Sequence, residues 1–138
     1  MSVRRVLDSY AVLAYLNEEK GYEAVKDLLA SENRVLLLND INLGETFYVI
    51  ARTRGMEKAE YFVGTILNSL PIQRVSNTLH DVLEAARIKA RYAIAYADCF
   101  AIATALRENA PVVTGDPEFK KVEGMVRVEW IGAGRKQR

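Results

Sequence analysis

Cysteine, histidine and tryptophan occur once each in 138 residues, and proline three times. With Cys99 alone, no intrachain disulfide can form, which fits a reducing compartment. No Cys/His cluster offers zinc its preferred ligands. Cys99 itself reads as a small buried apolar group rather than a nucleophile. The one histidine, His80, falls among polar residues at an expected helix start, and an ordinary surface role is the expectation. No apolar run approaches the ~20 residues of a membrane span. The segment Met1-Ser2-Val3-Arg4-Arg5-Val6 lacks the apolar stretch and cleavage site of a leader. Neither a glycine-rich dinucleotide fingerprint nor a Gly-Lys-Ser/Thr phosphate loop is present, so nucleotide cofactors are not expected. Charge of one sign is not in excess either. The net +1 neither demands a polyanionic partner nor excludes a local basic groove. A cytoplasmic protein held together by its own core is expected.

What is present supports such a core. Half the residues are hydrophobic and 27% are charged. A chain of this size buries roughly 68–70% of its unfolded surface. One domain over residues 1–131 is expected, followed by a polar, basic and mobile tail at 132–138. Val3 to Leu7, Arg34 to Leu38, Ile72 to Val75, Pro111 to Thr114 and Val126 to Ile131 read as strands. Between them lie amphipathic helices. The first is capped by Ser9, the second starts near Gly21, and the third runs from about Ile41 to Thr53. A fourth covers Glu57 to Leu70 and is closed by Pro71. A fifth is opened by Asn77 or Thr78, with Thr78 and Asp81 resembling a capping box, and a sixth, alanine-rich, covers Ala97 to Arg107. Phe119 to Val122 reads as a short helical turn. Strands alternating with helices imply right-handed crossovers and a parallel sheet covered on both faces.

In such a sheet ligands bind beyond the carboxyl ends of the strands. Asp8 stands where the first strand becomes a helix. Glu45 lies within the helix after the second strand, beside Gly44. Asp98 is in the first turn of the alanine-rich helix, inside the apolar stretch Tyr92 to Ala103. Asp116 follows the fourth strand in a Thr-Gly-Asp-Pro turn. Singly, each has an ordinary reading: a loop acid near a helix start, a solvated helical glutamate, a first-turn aspartate favoured by the helix dipole, or turn chemistry. Together they map to one edge of one sheet, where four carboxylates repel unless a cation joins them. Mg²⁺ or Mn²⁺ suits all-oxygen donors, and such an ion acidifies water for attack on a phosphodiester. Thr114 adds a hydroxyl at the same edge, suited to supporting a ligand. Among the basic residues, Arg87 and Arg91 share a helical face by their i,i+4 spacing and are the first candidates to hold the phosphates of such a substrate.

Four segments carry a resemblance to a known family. Val6-Leu7-Asp8-Ser9, Asn42-Leu43-Gly44-Glu45, Tyr96-Ala97-Asp98-Cys99-Phe100-Ala101-Ile102-Ala103-Thr104-Ala105 and Val112-Val113-Thr114-Gly115-Asp116-Pro117-Glu118-Phe119 resemble, in order and spacing, the acidic motifs of the PIN-domain family, and within it the VapC-type toxin ribonucleases. The resemblance covers Val6 to about Ile131. Asn42 stands where a Ser or Thr is common in the family. The resemblance implies a three-layer α/β/α sandwich with a central, mostly parallel sheet, a Mg²⁺- or Mn²⁺-dependent endoribonuclease site and frequent homodimers. It also implies a small antitoxin partner. Asp8, Glu45, Asp98 and Asp116 would be the metal-binding, catalytic acids, with Ser9 and Thr114 as supporting hydroxyls. The competing readings are a non-catalytic RNA- or protein-binding module of the same fold, and an RNA-processing nuclease without an antitoxin. A phospho-signalling or phosphatase domain is disfavoured. Tyr10 occupies the place of a second aspartate, and Thr114-Gly115-Asp116 the place of a lysine.

Overall fold

The computed structural model describes residues 3–132. Five strands form one sheet in the order β3-β2-β1-β4-β5, and every neighbouring pair is parallel. They are β1 (Val3–Leu7), β2 (Arg34–Asn39), β3 (Ile72–Val75), β4 (Val112–Thr114) and β5 (Val128–Trp130). The helices are α1 (Ser9–Asn17), α2 (Tyr22–Ala30), α3 (Asp40–Arg54), α4 (Met56–Tyr61), α5 (Leu79–Arg91) and α6 (Tyr96–Glu108). The expected basic tail lies, from residue 133 onward, outside the described residues.

Side-chain alternation along the strands divides the core into two layers. Val6, Leu37 and Val112 pack with Ala85 and Ile88 of α5, Cys99 to Ala103 of α6, Phe119 and Val122. Leu7, Leu36, Leu38 and Val113 point the other way, onto Ala11 and Val12 of α1, Val25 of α2, Ile50 of α3 and Ala59 of α4. Helices therefore cover both faces, and the sheet is buried in the manner of parallel α/β sheets.

The strand order fixes where a site can form. From β1 the chain builds outward through β2 to β3, then returns to the other side of β1 for β4 and β5. The direction of growth reverses between β1 and β4. Crossovers diverge there and leave a crevice at the carboxyl ends of those two strands. Asp8 follows β1 and Asp116 follows β4.

Three local expectations need correction. Ser9 does not cap α1. Asp8 does, its side chain accepting the Ala11 N–H at 2.9 Å, and Ser9 is the first helical residue. The stretch from Glu57 to Leu70 is not one α-helix. After α4 it widens to a π-helical turn at Phe62–Ile66 and tightens to a 3-10 turn at Leu67–Ser69. The Leu67 N–H bonds back to the Phe62 carbonyl, five residues away, and both side chains enter the core. A 3.6-residue period does not register that extra residue. The last strand shrinks from the expected Val126–Ile131 to Val128–Trp130, because its neighbour, β4, offers three residues for pairing. By contrast, the Thr78–Asp81 capping box of α5 is present in both directions.

Candidate active site

The crevice is built in two parts. One part hangs on strand ends. Asp8 is 1% exposed. Its Oδ1 accepts the Ala11 N–H, and its Oδ2 accepts the Thr114 hydroxyl at 2.5 Å. Thr114, fully buried, in turn accepts the Asp116 N–H at 3.0 Å. The Asp116 Oδ1 then accepts the Glu118 N–H at 2.9 Å, which starts the 3-10 segment Pro117–Val122. One hydroxyl thus links the acid after β1 to the backbone of the acid after β4. Gly115 lets this turn close. A Cβ there would stand 2.3 Å from the Tyr10 ring, so any larger residue would displace the ring or the turn.

The other part hangs on helices. The Ser9 hydroxyl donates to Glu45 Oε1 at 2.7 Å, tying α1 to α3. One turn earlier on α3, Asn42 donates from Nδ2 to the carbonyl of Ala97 at 3.0 Å. That carbonyl belongs to the residue before Asp98. Asp98 is 5% exposed in the first turn of α6.

These acids lie within each other's fields. Burial pushes the Asp8 carboxyl up to about 8, reinforced by Asp98 and Asp116; the bonds from Thr114 and Ala11 hold it partly down. Burial also pushes Asp98 up to about 7, with Glu45, Asp116 and Glu118 adding to the rise. The Tyr10 phenol is raised by burial and by Asp116, Asp8 and Glu19. Each of the four sequence-derived acids is therefore coupled to at least one other. Among the described residues, no three Asp, Glu, His or Cys side chains already form a ligand cage. The donors present are carboxylates and hydroxyls. Buried, hydrogen-bonded acids in such mutual repulsion suit a hard divalent cation that retains part of its water shell.

Sequence reasoning missed three participants. Glu118 reaches Asp98 electrostatically, and an exposed glutamate in a turn gave no signal of it. Tyr10 faces the acids because Gly115 leaves it room; the glycine next to Asp116 was the available clue. Asn39 is the third. It caps α3 through the Ile41 N–H, and its side chain also bonds Asn77 and Thr104, joining β2, the β3–α5 loop and α6 beneath the site.

The remaining candidates lie elsewhere. Arg87 pairs with Glu84 at 2.6 Å. Arg87 and Arg91, with Arg107, His80, Tyr92, Leu106 and Met125, line a groove of about 450 Å³ between α5 and α6, and none of the four acids is in its wall. His80 is exposed. Cys99 is buried, and burial together with Asp98 pushes its thiol up to about 11, which leaves it inert as a nucleophile.

Comparison with known proteins agrees with this architecture. VapC20 of Mycobacterium tuberculosis, described as a sarcin-ricin loop cleaving toxin, superposes with a TM-score of 0.74 at 21% identity, over 91% of this chain and 98% of that one. A chain of VapBC2 from Rickettsia felis, crystallised on a DNA fragment from its promoter, gives 0.71 at 18% identity, over 94% and 99%. One from DNA-bound VapBC of Salmonella typhimurium gives 0.68 at 17%, over 92% and 97%. At these identities the likeness is one of fold. No curated protein matches the sequence. The PIN domain family model matches residues 5–125, which take in all four acids and both layers of the core. The chain belongs to the PIN-domain family.

Proposed function

We propose that this protein is a divalent-metal-dependent endoribonuclease and the toxin of a toxin–antitoxin pair. The observation that carries the reading is the electrostatic coupling of Asp8, Glu45, Asp98 and Asp116 at the crevice where the sheet reverses direction. The antitoxin partner is supported by structural neighbours that are VapBC complexes. A homodimer acting in the cytoplasm completes the proposal. Exposed Tyr48, Met56 and Tyr61 on α3 and α4 are available to a second subunit. Among the described residues, no helix is long and apolar enough to cross a membrane.

Asp8, Glu45, Asp98 and Asp116 would hold Mg²⁺ or Mn²⁺. When bound, such an ion lowers the pKa of the attacking water and offsets charge on the phosphate. The chain's own residues do the rest. The Thr114 hydroxyl and the Ala11 N–H fix both oxygens of Asp8, so that carboxylate has one orientation. Ser9 fixes one oxygen of Glu45. Asp98, almost fully buried in the first turn of α6, brings a carboxylate coupled to Glu45 and Asp116 to the same space. Arg91 and Arg87 would hold phosphates of the RNA strand beyond the scissile bond.

The test is cleavage of a mixed RNA pool by metal-free protein resupplied with Mn²⁺ or Mg²⁺, alongside Asp98→Asn. Metal-dependent endonucleolytic products that the variant fails to make are expected. Equal cleavage in EDTA, or a variant as fast as the parent, would contradict the mechanism. RNA or protein binding without cleavage would favour a non-catalytic module.

A further inference from the structure

Asn42 is fully buried, and its Oδ1 is the one buried side-chain oxygen or nitrogen among the described residues that lacks a hydrogen-bond partner. Its orientation is fixed by chemistry. The Ala97 carbonyl can only accept, so the amide must present Nδ2 to it, at 3.0 Å, and turn Oδ1 away. Asn42 stands three residues before Glu45 on α3, and Ala97 immediately precedes Asp98. The amide is therefore wedged between the helices that carry these two acids, which are electrostatically coupled to each other.

The orphan oxygen needs a donor, and the described residues supply none. A buried polar atom without a partner points to a bound water or ion. An isolated trapped water would fit poorly here. It could donate a hydrogen to Oδ1, but Glu45 on the same helix and Asp98 next to Ala97 are acceptors too, so its lone pairs would gain no donor from them. A cation on the lone-pair side satisfies that water. Mg²⁺ and Mn²⁺ retain several waters when bound by few carboxylates.

We propose that Asn42 is a positioning residue of the acidic site. Nδ2 ties α3 to α6 between Glu45 and Asp98, and Oδ1 accepts a hydrogen bond from a water in the hydration shell of the divalent ion these acids bind. The inference rests on the metal-dependent reading above. It adds a requirement that the four acids alone do not make: an oxygen acceptor at position 42 for a water of the ion.

Two variants separate this role from a merely structural one. Asn42→Leu is near in volume and removes both polar atoms. Asn42→Asp keeps an oxygen acceptor and loses the tie to Ala97. Binding of Mn²⁺ is followed by the electron paramagnetic resonance of the free ion, and stability by thermal melting without ion. Removing a partner to a bound ion typically weakens affinity about 10–100-fold. Asn42→Leu is expected to lose affinity in that range while melting no lower than wild type, since an unsatisfied buried oxygen has gone. Asn42→Asp is expected to keep Mn²⁺ affinity within a few-fold even if it melts lower. Should Asn42→Leu not fold, Asn42→Asp alone carries the test. Wild-type affinity in Asn42→Leu, or a loss in Asn42→Asp as large as 10-fold, would reduce Asn42 to a helix tie and overturn the proposal while leaving the nuclease reading standing. Failure of the wild-type protein to bind Mn²⁺ would remove both.

Discussion

The strand-borne and helix-borne parts of the crevice are built differently. Asp8 and Asp116 follow β1 and β4, whose positions the sheet dictates. Asp8 and Asp116 belong to one continuous hydrogen-bond chain that runs from the Ala11 N–H through Thr114 to the Glu118 N–H. Glu45 and Asp98 ride on α3 and α6, which touch through side chains. Their placement depends on two ties, Ser9 to Glu45 and Asn42 to Ala97. The first part is therefore structural as well as chemical. The second carries less of the fold and can be altered with less damage to it.

The largest expected effect sharpens this contrast. Asp98→Asn removes a charge from the helix-borne part without breaking a hydrogen bond between side chains. RNA cleavage should fall by about 10²–10³-fold or more, the usual scale for losing one electrostatic contributor to a transition state. The ion-free protein should melt no lower than wild type above neutral pH. A variant that unfolds would break the comparison. Next comes Thr114→Val, on the strand-borne side. It strips the Asp8 Oδ2 and the Asp116 N–H of their shared partner in a buried place, and should cost about 1–3 kcal/mol in chemical denaturation. An unchanged denaturation midpoint would show that the strand-borne part is not structural.

Acid–base behaviour gives a third expectation. Asp8 and Asp98 bind protons more tightly folded, at about 8 and about 7, than at the ordinary carboxylate value of 3.8. The folded state holds more protons than the unfolded one between these limits, so stability falls as pH rises. The contribution is complete below about pH 4, and is lost through about 7 for Asp98 and about 8 for Asp8. The melting temperature of ion-free protein should therefore decline from about pH 5 to about pH 8.5. Saturating Mn²⁺ should raise it more at the higher pH, because ligation requires the ionised carboxylates. A flat profile without ion would argue against buried, protonated acids.

Smaller effects complete the series. Ser9→Ala breaks a single bond to the half-buried Glu45 and should cost no more than about 1 kcal/mol in stability. It should slow cleavage by less than Asp98→Asn does. Arg91→Gln or Arg87→Gln should reduce the salt dependence of RNA binding by about 0.7 in the log–log slope for each single-strand phosphate no longer neutralised. An unchanged slope would remove the α5–α6 groove from the RNA path.

Much of this arrangement was legible in the sequence, for physical reasons that also mark its limits. Asp8 and Asp98 each interrupt a strongly apolar segment and Asp116 sits in the turn that ends one, and buried apolar segments are what periodicity detects best. The Thr78–Asp81 cap was legible because capping is local chemistry. The π-helical turn at Phe62–Ile66 was not, since a widened turn answers to tertiary packing of Phe62 and Leu67 rather than to propensity. Ser9 was misassigned as a cap because its hydroxyl could serve either α1 or Glu45, 36 positions away, and only the fold decides between them. Asn42 was visible only as a departure from the family's common Ser or Thr. Its burial against Ala97 is a long-range fact.

The central claim is that these carboxylates share a space completed by a divalent ion. Calorimetric titration of ion-free protein with Mn²⁺ at about neutral pH, in two buffers of different ionisation enthalpy, tests it most directly. Saturable binding with net proton release from Asp8 and Asp98 is expected, since ligation requires deprotonated acids. Absence of saturable binding, or binding without proton release, would contradict the account.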